Sequence, residues 1–428
     1  AGSLIQSNSQ RKKKDLWTEN DLGAAVRVVE REEPEDEADF LVEEIKAHVQ
    51  SGGSLNEIAI FYRTNALTRI IEEAFLRAGI SYQIARGTEF YNRKEIKDLL
   101  GYLRLLVNPA DGIALRRSIN TPARGIGKTS LERLARYAEA NEITVFEAAD
   151  RADQIPELKR AAGRISVFVQ LMRELQPLAD GPAHVAVEQV FASSGLAKEL
   201  DGPDPRNIEA VENVDELISA AADFLKSNPE GTLAEWLQQV SLVSDVDAVD
   251  SGAGVVTLMT LHAAKGLEFP KVYIIAVEDG LLPHAGYRDE PAQIEEERRL
   301  CFVGMTRAQQ QLTLSYAQWR TIRGMNTRTT ASQFLAELPS EEIEWDLQQE
   351  EKSFRDKADF QRPGRGDYRD WKNGMYLRHP KFGLGRLLWK ESSGKLTRAG
   401  VRFTSYGEKT LFLEYAKMTP LDVDECQL

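Results

Sequence analysis

Two cysteines in 428 residues, Cys301 and Cys426, leave nothing for a disulfide framework, which fits a reducing compartment. The five histidines show no ligand-like spacing with them or with one another, so a metal site is not expected. No window approaches the roughly 18 uninterrupted apolar residues of a spanning helix, and no basic-then-apolar leader follows Ala1, so neither a membrane partner nor secretion is expected. Positive charge is not in excess either. The 54 basic and 67 acidic residues give a net charge of −13, which argues against coating nucleic acid through bulk charge but leaves room for a local basic track. Acid concentrates at Glu30–Asp39 and Glu341–Glu351, which read as solvated linker or helix faces; basic clusters stand at Arg11–Lys14, Arg116–Arg117 and Arg362–Arg369.

What is present reads as globular. Apolar residues make up 42% and charged residues 28%, and the length allows two to four domains. Residues 1–21 are polar and lack apolar periodicity. Val26–Val29, Glu57–Tyr62 and Tyr82–Ile84 read as strands; Phe40–Val49, Ala66–Ala78 and Lys94–Leu106 have helical spacing, with Gly79 as a C-cap. Such alternation predicts an α/β fold with a parallel sheet. From Asp111 to about Val249 helical patterns dominate. Strand patterns return at Val255–Met259, Val272–Val277 and Leu312–Ser315, with a helix from about Glu295 to Gln310, so the sheet is expected to begin before the helical block and finish after it. Residues 340–370 read as a polar linker. Met375–Arg378, Gly385–Trp389, Gly400–Phe403 and Thr410–Leu413 then predict a small β-barrel.

Four segments carry candidate chemistry. Arg124–Ser130, RGIGKTS, ends like a phosphate loop, but Pro122 stands where the first glycine is required, so no P-loop is formed there. Gly125, Gly127 and Lys128 are left to present N–H groups and a cation to a nucleic-acid phosphate, or to form a plain capped turn. Val272–Asp279 resembles a magnesium-carboxylate strand, yet Glu278 and Asp279 read better as turn residues. In TLMTLHAAKGLEF (Thr257–Phe269), a strand runs into Thr260 and His262 and then into a short helix broken by Gly266. Thr260 and His262 suit phosphate contacts, and Glu268 suits a ribose hydroxyl. In EEERRLCFVGMTRA (Glu295–Ala308), Gly304 and Arg307 share a helix face, and the glycine would leave room for a ligand beside the arginine.

The last two strings resemble motifs V and VI of the UvrD/PcrA/Rep helicases of superfamily 1. FYRTNALTR (Phe61–Arg69), FYNRKEIKDLLGYLRL (Phe90–Leu105) and INTPARGIGKTSLERL (Ile119–Leu134) resemble further segments of that family in the same order. LRHPKFGLG (Leu377–Gly385) and GVRF (Gly400–Phe403) resemble the family's C-terminal Tudor-like domain, its PcrA branch in particular. The resemblance implies a RecA-like domain 2A (1–108 and 251–339) interrupted by a helical domain 2B (109–250), then a linker (340–370) and an SH3- or Tudor-like barrel (371–428). Ser7–Glu19 resembles the stretch after motif IV, which implies that the chain starts inside 2A, with the P-loop domain 1A and domain 1B outside it.

By the same resemblance, the parent activity is ATP-dependent 3′–5′ DNA unwinding in the bacterial cytoplasm. Arg307 would be the arginine finger, with Gly266, Glu268 and Gly304 at the ATP. Arg63, Asn65, Thr260 and His262 would meet single-stranded DNA, and Gly125, Gly127 and Lys128 the duplex junction. Mg2+ ligands would lie on domain 1A, and the barrel would recruit RNA polymerase. The alternative is a non-enzymatic module binding DNA and protein.

Overall fold

The computed structural model describes residues 1–9, 17, 23–244, 254–287, 290–323, 325–347, 371–372, 374–379, 383–393, 396–403, 407–412 and 419–420. Two compact units divide the chain, Ala1–Gln349 and Glu350–Leu428.

The first unit is organised by strands β1 (Val26–Arg31), β2 (Ile58–Tyr62), β3 (Tyr82–Ile84), β4 (Val256–Thr260), β5 (Phe269–Ile274) and β6 (Ala308–Ala317). A hairpin, β7 (Trp319–Ile322) and β8 (Met325–Arg328), follows, and then β9 (Ile343–Asp346). The seven-stranded sheet has the order β3-β4-β2-β5-β6-β1-β9, and every pairing in it is parallel. Its strands come from both sides of the helical block, as the return of strand patterns at Val255 requires.

Period-two alternation divides the core into two layers. Val28, Ala59, Phe61 and Met259 point to one face, and Val29, Ile58, Ile60 and Leu258 to the other. The first face is covered by helices α1 (Gly2–Gln6), α13 (Pro291–Met305) and α14 (Gln333–Ala336). The second is covered by α2 (Pro34–Gln50) and α3 (Thr68–Ala78). Local chemistry sets these helices. Glu33 and Asp36 form a capping box with Pro34 at the first position of α2, and Gly79 closes α3 at φ +68°.

After α4 (Lys94–Val107) come α5 (Gly112–Ser118), α6 (Lys128–Ala140), α7 (Val145–Asp150), α8 (Ala162–Leu175), α9 (Ala183–Ser194), α10 (Leu196–Glu199), α11 (Pro205–Ser227) and α12 (Leu233–Ser244). They share one core around Leu103, Leu134, Phe168, Val187, Leu217 and Trp236. No strand interrupts the described residues between α5 and α12.

Four expectations are corrected. The polar N-terminus holds α1, whose Leu4 is fully buried beside the α13 layer; residues 10–16 and 18–22, with the Arg11–Lys14 cluster, lie outside the described residues. The acidic run is not all solvated: Glu37 is buried and pairs with Arg320. The helix expected to reach Gln310 ends at Met305, because Ala308 onward pairs with both β5 and β1. Part of the expected linker is strand β9 on the sheet edge, paired with β1; residues 348–370 lie outside the described residues. Glu278 does open the turn expected before Gly280, its carbonyl accepting from the Leu281 and Leu282 N–H groups at 3.0 and 2.8 Å, while its side chain is buried and ion-paired to Arg320.

The second unit is an antiparallel sheet of β10 (Tyr376–His379), β11 (Gly383–Ser393), β12 (Leu396–Phe403), β13 (Gly407–Phe412) and β14 (Thr419–Pro420), in the order β13-β12-β11-β10-β14. Among its described residues Trp371, Leu377, Leu387, Ala399 and Val401 have buried side chains.

Candidate functional site

Candidate residues gather at two opposite edges of the parallel sheet. Ligand crevices in such sheets open at the carboxyl ends of strands. There the chain leaves β2 at Arg63 and β4 at Leu261, and the Leu261 N–H donates to the Tyr62 carbonyl at 2.8 Å. Tyr62 and Thr260 are register partners, so Arg63, Asn65, Thr260 and His262 fall into one neighbourhood.

Their side chains are not left loose. Arg63 donates from Nε to both carboxylate oxygens of Glu297, at 3.0 and 2.9 Å. Asn65 donates to Glu209 at 2.5 Å. Thr260 Oγ1 accepts from the Ala263 N–H at 3.3 Å, holding the turn that carries His262. The residue His262 is exposed, yet the protein packed around its ring and the Arg63 guanidinium lower its pKa. His284, after β5, belongs to the same edge: its ring meets Glu212 at 2.9 Å and its backbone N–H donates to Glu297 at 3.2 Å.

The acids facing this edge come largely from α11. Glu209, Glu212, Asp215 and Glu216 recur at helical spacing and meet Asn65, His284, Arg323 and Arg69 respectively. The helical block is thus joined to the sheet by an acidic ridge. Beneath it, Arg320 on β7 is clamped by Glu37 and Glu278 at 2.7–2.8 Å.

At the opposite edge, β5 and β6 begin at the register pair Phe269 and Ala308. Arg307 immediately precedes β6, beyond the end of α13 rather than on its face. Its Nε donates to Val303 O at 3.1 Å, Nη1 to Leu267 O at 3.2 Å and Nη2 to Thr306 Oγ1 at 3.1 Å. The Glu268 carboxylate is 4.0 Å from Nη1 and largely exposed. The Arg307 side chain retains 19% exposure, so the guanidinium is partly sheltered without being sealed inside. Gly266 is exposed at φ +87° in a run of turns, where the sequence predicts a short helix; a Cβ there would meet nothing, so the backbone conformation is what calls for glycine.

Gly304 is corrected. The space its missing Cβ leaves is already filled: a Cβ would overlap Leu261 Cδ2 and lie 3.2 Å from Ile274 Cδ1. It lets α13 pack onto the sheet and opens no room for a ligand.

Gly125, Gly127 and Lys128 belong to the helical block and to neither sheet edge. Arg124 braces their turn by donating to Ser118, Thr121 and Ser194 carbonyls at 3.1, 3.0 and 2.7 Å. Asn120 Oδ1 accepts from the Arg124 and Ile126 N–H groups at 2.8 and 2.9 Å. Gly125 adopts φ +70°, and Gly127 caps α6. Lys128, 92% exposed, is 4.0 Å from Glu132. A rigid turn thus holds a cation in solvent.

Sequence reasoning missed Glu297 and His284. The signal for Glu297 was its phase: it lies four residues before Cys301 and seven before Gly304, on the buried stripe of α13, where a carboxylate must be paired. Among the described residues no group of three or more His, Cys, Asp or Glu is arranged to hold a metal, and no helix is long and apolar enough to cross a membrane.

Residues 1–319 match the family model of the UvrD-like helicase C-terminal domain. The chain is 37% identical over 441 residues to the ATP-dependent DNA helicase PcrA of Bacillus subtilis, covering 97% of this chain and 59% of that protein. It is 38% identical to the ATP-dependent DNA helicase UvrD1 of Mycobacterium tuberculosis (98% and 59% covered) and 35% identical to PcrA of Staphylococcus aureus (97% and 59%). The chain therefore spans about three-fifths of the length of the curated relatives it matches. With the family model covering most of the chain and a sheet assembled from both flanks of a helical block, this protein belongs to the UvrD-like helicase C-terminal domain family.

Proposed function

We propose that this chain supplies one wall of the ATP cleft of a 3′–5′ DNA helicase, with the P-loop and the Mg2+ carboxylates contributed by sequence outside these residues. The observation that carries this reading is Arg307: a half-sheltered cation at a sheet edge, held by two carbonyls and a hydroxyl, with its nearest carboxylate 4.0 Å away. Charge on a transferred γ-phosphoryl group is stabilised by such a cation in a partly dehydrated cleft. An incoming phosphate would replace the Leu267 carbonyl as partner of Nη1. Gly266 allows close approach of the backbone, and the exposed Glu268 is free to accept from a ribose hydroxyl. Mg2+ would accompany the ATP.

The other edge takes the single strand through Arg63, Asn65, Thr260 and His262, while Gly125, Gly127 and Lys128 hold the duplex backbone. In this reading 1–108 and 251–339 form domain 2A, 109–250 domain 2B and 340–370 a linker. Residues 371–428 close a Tudor-like barrel whose partner is RNA polymerase, and the protein works in the cytoplasm. Helix α13 carries Glu297 and ends two residues short of Arg307, whose Nε is held by Val303 O of its last turn. Nucleotide and strand therefore act on one helix and the turn that leaves it.

The test is reconstitution. The chain combined with a P-loop-bearing fragment should show DNA-stimulated ATPase. Arg307→Ala should cut turnover by about a thousandfold while DNA binding by anisotropy stays within about twofold. Absence of any restored turnover favours the non-enzymatic module, and equal loss of turnover and binding refutes the finger role.

A further inference from the structure

Glu297 does more than satisfy itself. It is 3% exposed, on the buried stripe of α13, where an unpaired carboxylate is strongly disfavoured. Its partners come from the connections that leave two neighbouring strands: Arg63 after β2, at 3.0 and 2.9 Å, and the His284 N–H after β5, at 3.2 Å. One carboxylate therefore sets two loops against one helix. The helix is itself pinned, because Arg298 donates to Glu337 at 2.7 Å through both Nε and Nη2 and to Asn8 at 2.7 Å. Arg63 spends only its Nε on Glu297, and among the described residues its Nη groups make no hydrogen bond. Those donors remain for an incoming anion.

We propose that Glu297 is a positioning residue, which presets Arg63 and the His284 loop as a fixed donor platform for the backbone phosphates of a single nucleic-acid strand. The proposal rests on the strand-binding reading above. Its physical content is preorganisation: an arginine already held at Nε loses less freedom when its remaining donors meet a phosphate. The sign of the effect separates this role from simple charge. By Coulomb's law alone, removing a carboxylate beside a polyanion site tightens binding. Removing a positioning group loosens it.

The experiment measures binding of a fluorescein-labelled oligothymidylate to the full 428-residue chain by anisotropy at low ionic strength, with circular dichroism and thermal unfolding as fold controls. Glu297→Gln should weaken binding about tenfold, and Glu297→Asp, which keeps the charge but shortens its reach, about threefold. In an Arg63→Gln background, Glu297→Gln should add less than about twofold, because its effect is transmitted through Arg63. Unchanged or tighter binding by a folded Gln variant overturns the proposal, as does a fully additive loss in the double variant. If the Gln variant does not fold, the Asp variant decides, and wild-type affinity in it overturns the proposal. A wild-type chain that binds no oligothymidylate overturns the strand reading and the proposal together, so the two failures are told apart.

Discussion

The two edges of the parallel sheet handle their cations in opposite ways. At the carboxyl edge Arg63, Arg69 and Arg320 each meet at least one carboxylate at 3.0 Å or closer, and the acids are themselves largely buried. At the amino edge Arg307 is held by carbonyls and a hydroxyl, with an exposed carboxylate no nearer than 4.0 Å. Buried ion pairs lock geometry and resist the loss of one partner. A carbonyl-held guanidinium keeps its full charge available. One edge is built to hold its shape, and the other keeps a cation to give.

That contrast makes its largest prediction at Arg320. Arg320→Met leaves Glu37 and Glu278 buried without a counter-ion and should cost about 3–5 kcal/mol in urea unfolding; a cost below about 1 kcal/mol would mean that the carboxyl edge is not held by its ion pairs. Gly304→Val comes next. It forces a branched side chain against Leu261 and Ile274 and should cost about 1–3 kcal/mol; wild-type stability would return Gly304 to a ligand-facing role. Arg307→Ala should change stability by no more than about 0.5 kcal/mol, because partly exposed bonds to carbonyls contribute little, and a larger loss would make Arg307 structural. The smallest effect is at His262. Packing around its ring and then Arg63 lower its pKa, so an NMR titration should find a midpoint below the ordinary 6.5. The unfolded chain then binds the proton first, so the stability His262 contributes is present above pH 6.5 and declines as pH falls through the folded midpoint. A midpoint above 6.5 would show that Glu297 and Glu296 outweigh burial and Arg63.

Much of the fold was legible because periodicity is local. The Ala66–Ala78 pattern with Gly79 behind it encodes an amphipathic helix and its stop, and α3 ends there in the left-handed conformation. The absence of strand patterns between Asp111 and Val249 encodes a helical block. Reading failed where a distant partner outweighs local preference. Residues 306–310 look helical, yet Ala308 onward is drawn into the sheet by β1 and β5. Leu4 looks like part of a polar tail until α13 covers it. Arg63, Asn65, Thr260 and His262, each picked out for its chemistry, stand at one edge of the sheet, a grouping that register and not sequence spacing produces. Gly304 was misread because a glycine beside an arginine looks the same in sequence whether a ligand or a leucine fills the space.

The order of amino acids alone settled that strands alternate with helices in a parallel α/β sheet, that a helical block interrupts it, and which side chains are chemically suited to phosphate. Those properties depend on near neighbours and on side-chain identity. Tertiary structure alone decided that Arg63 is tied to Glu297 while Arg307 is hydrogen-bonded to carbonyls and a hydroxyl, because the pairing of a charge is set by what the fold brings close to it, and those partners lie more than two hundred residues away in one case and one to forty in the other.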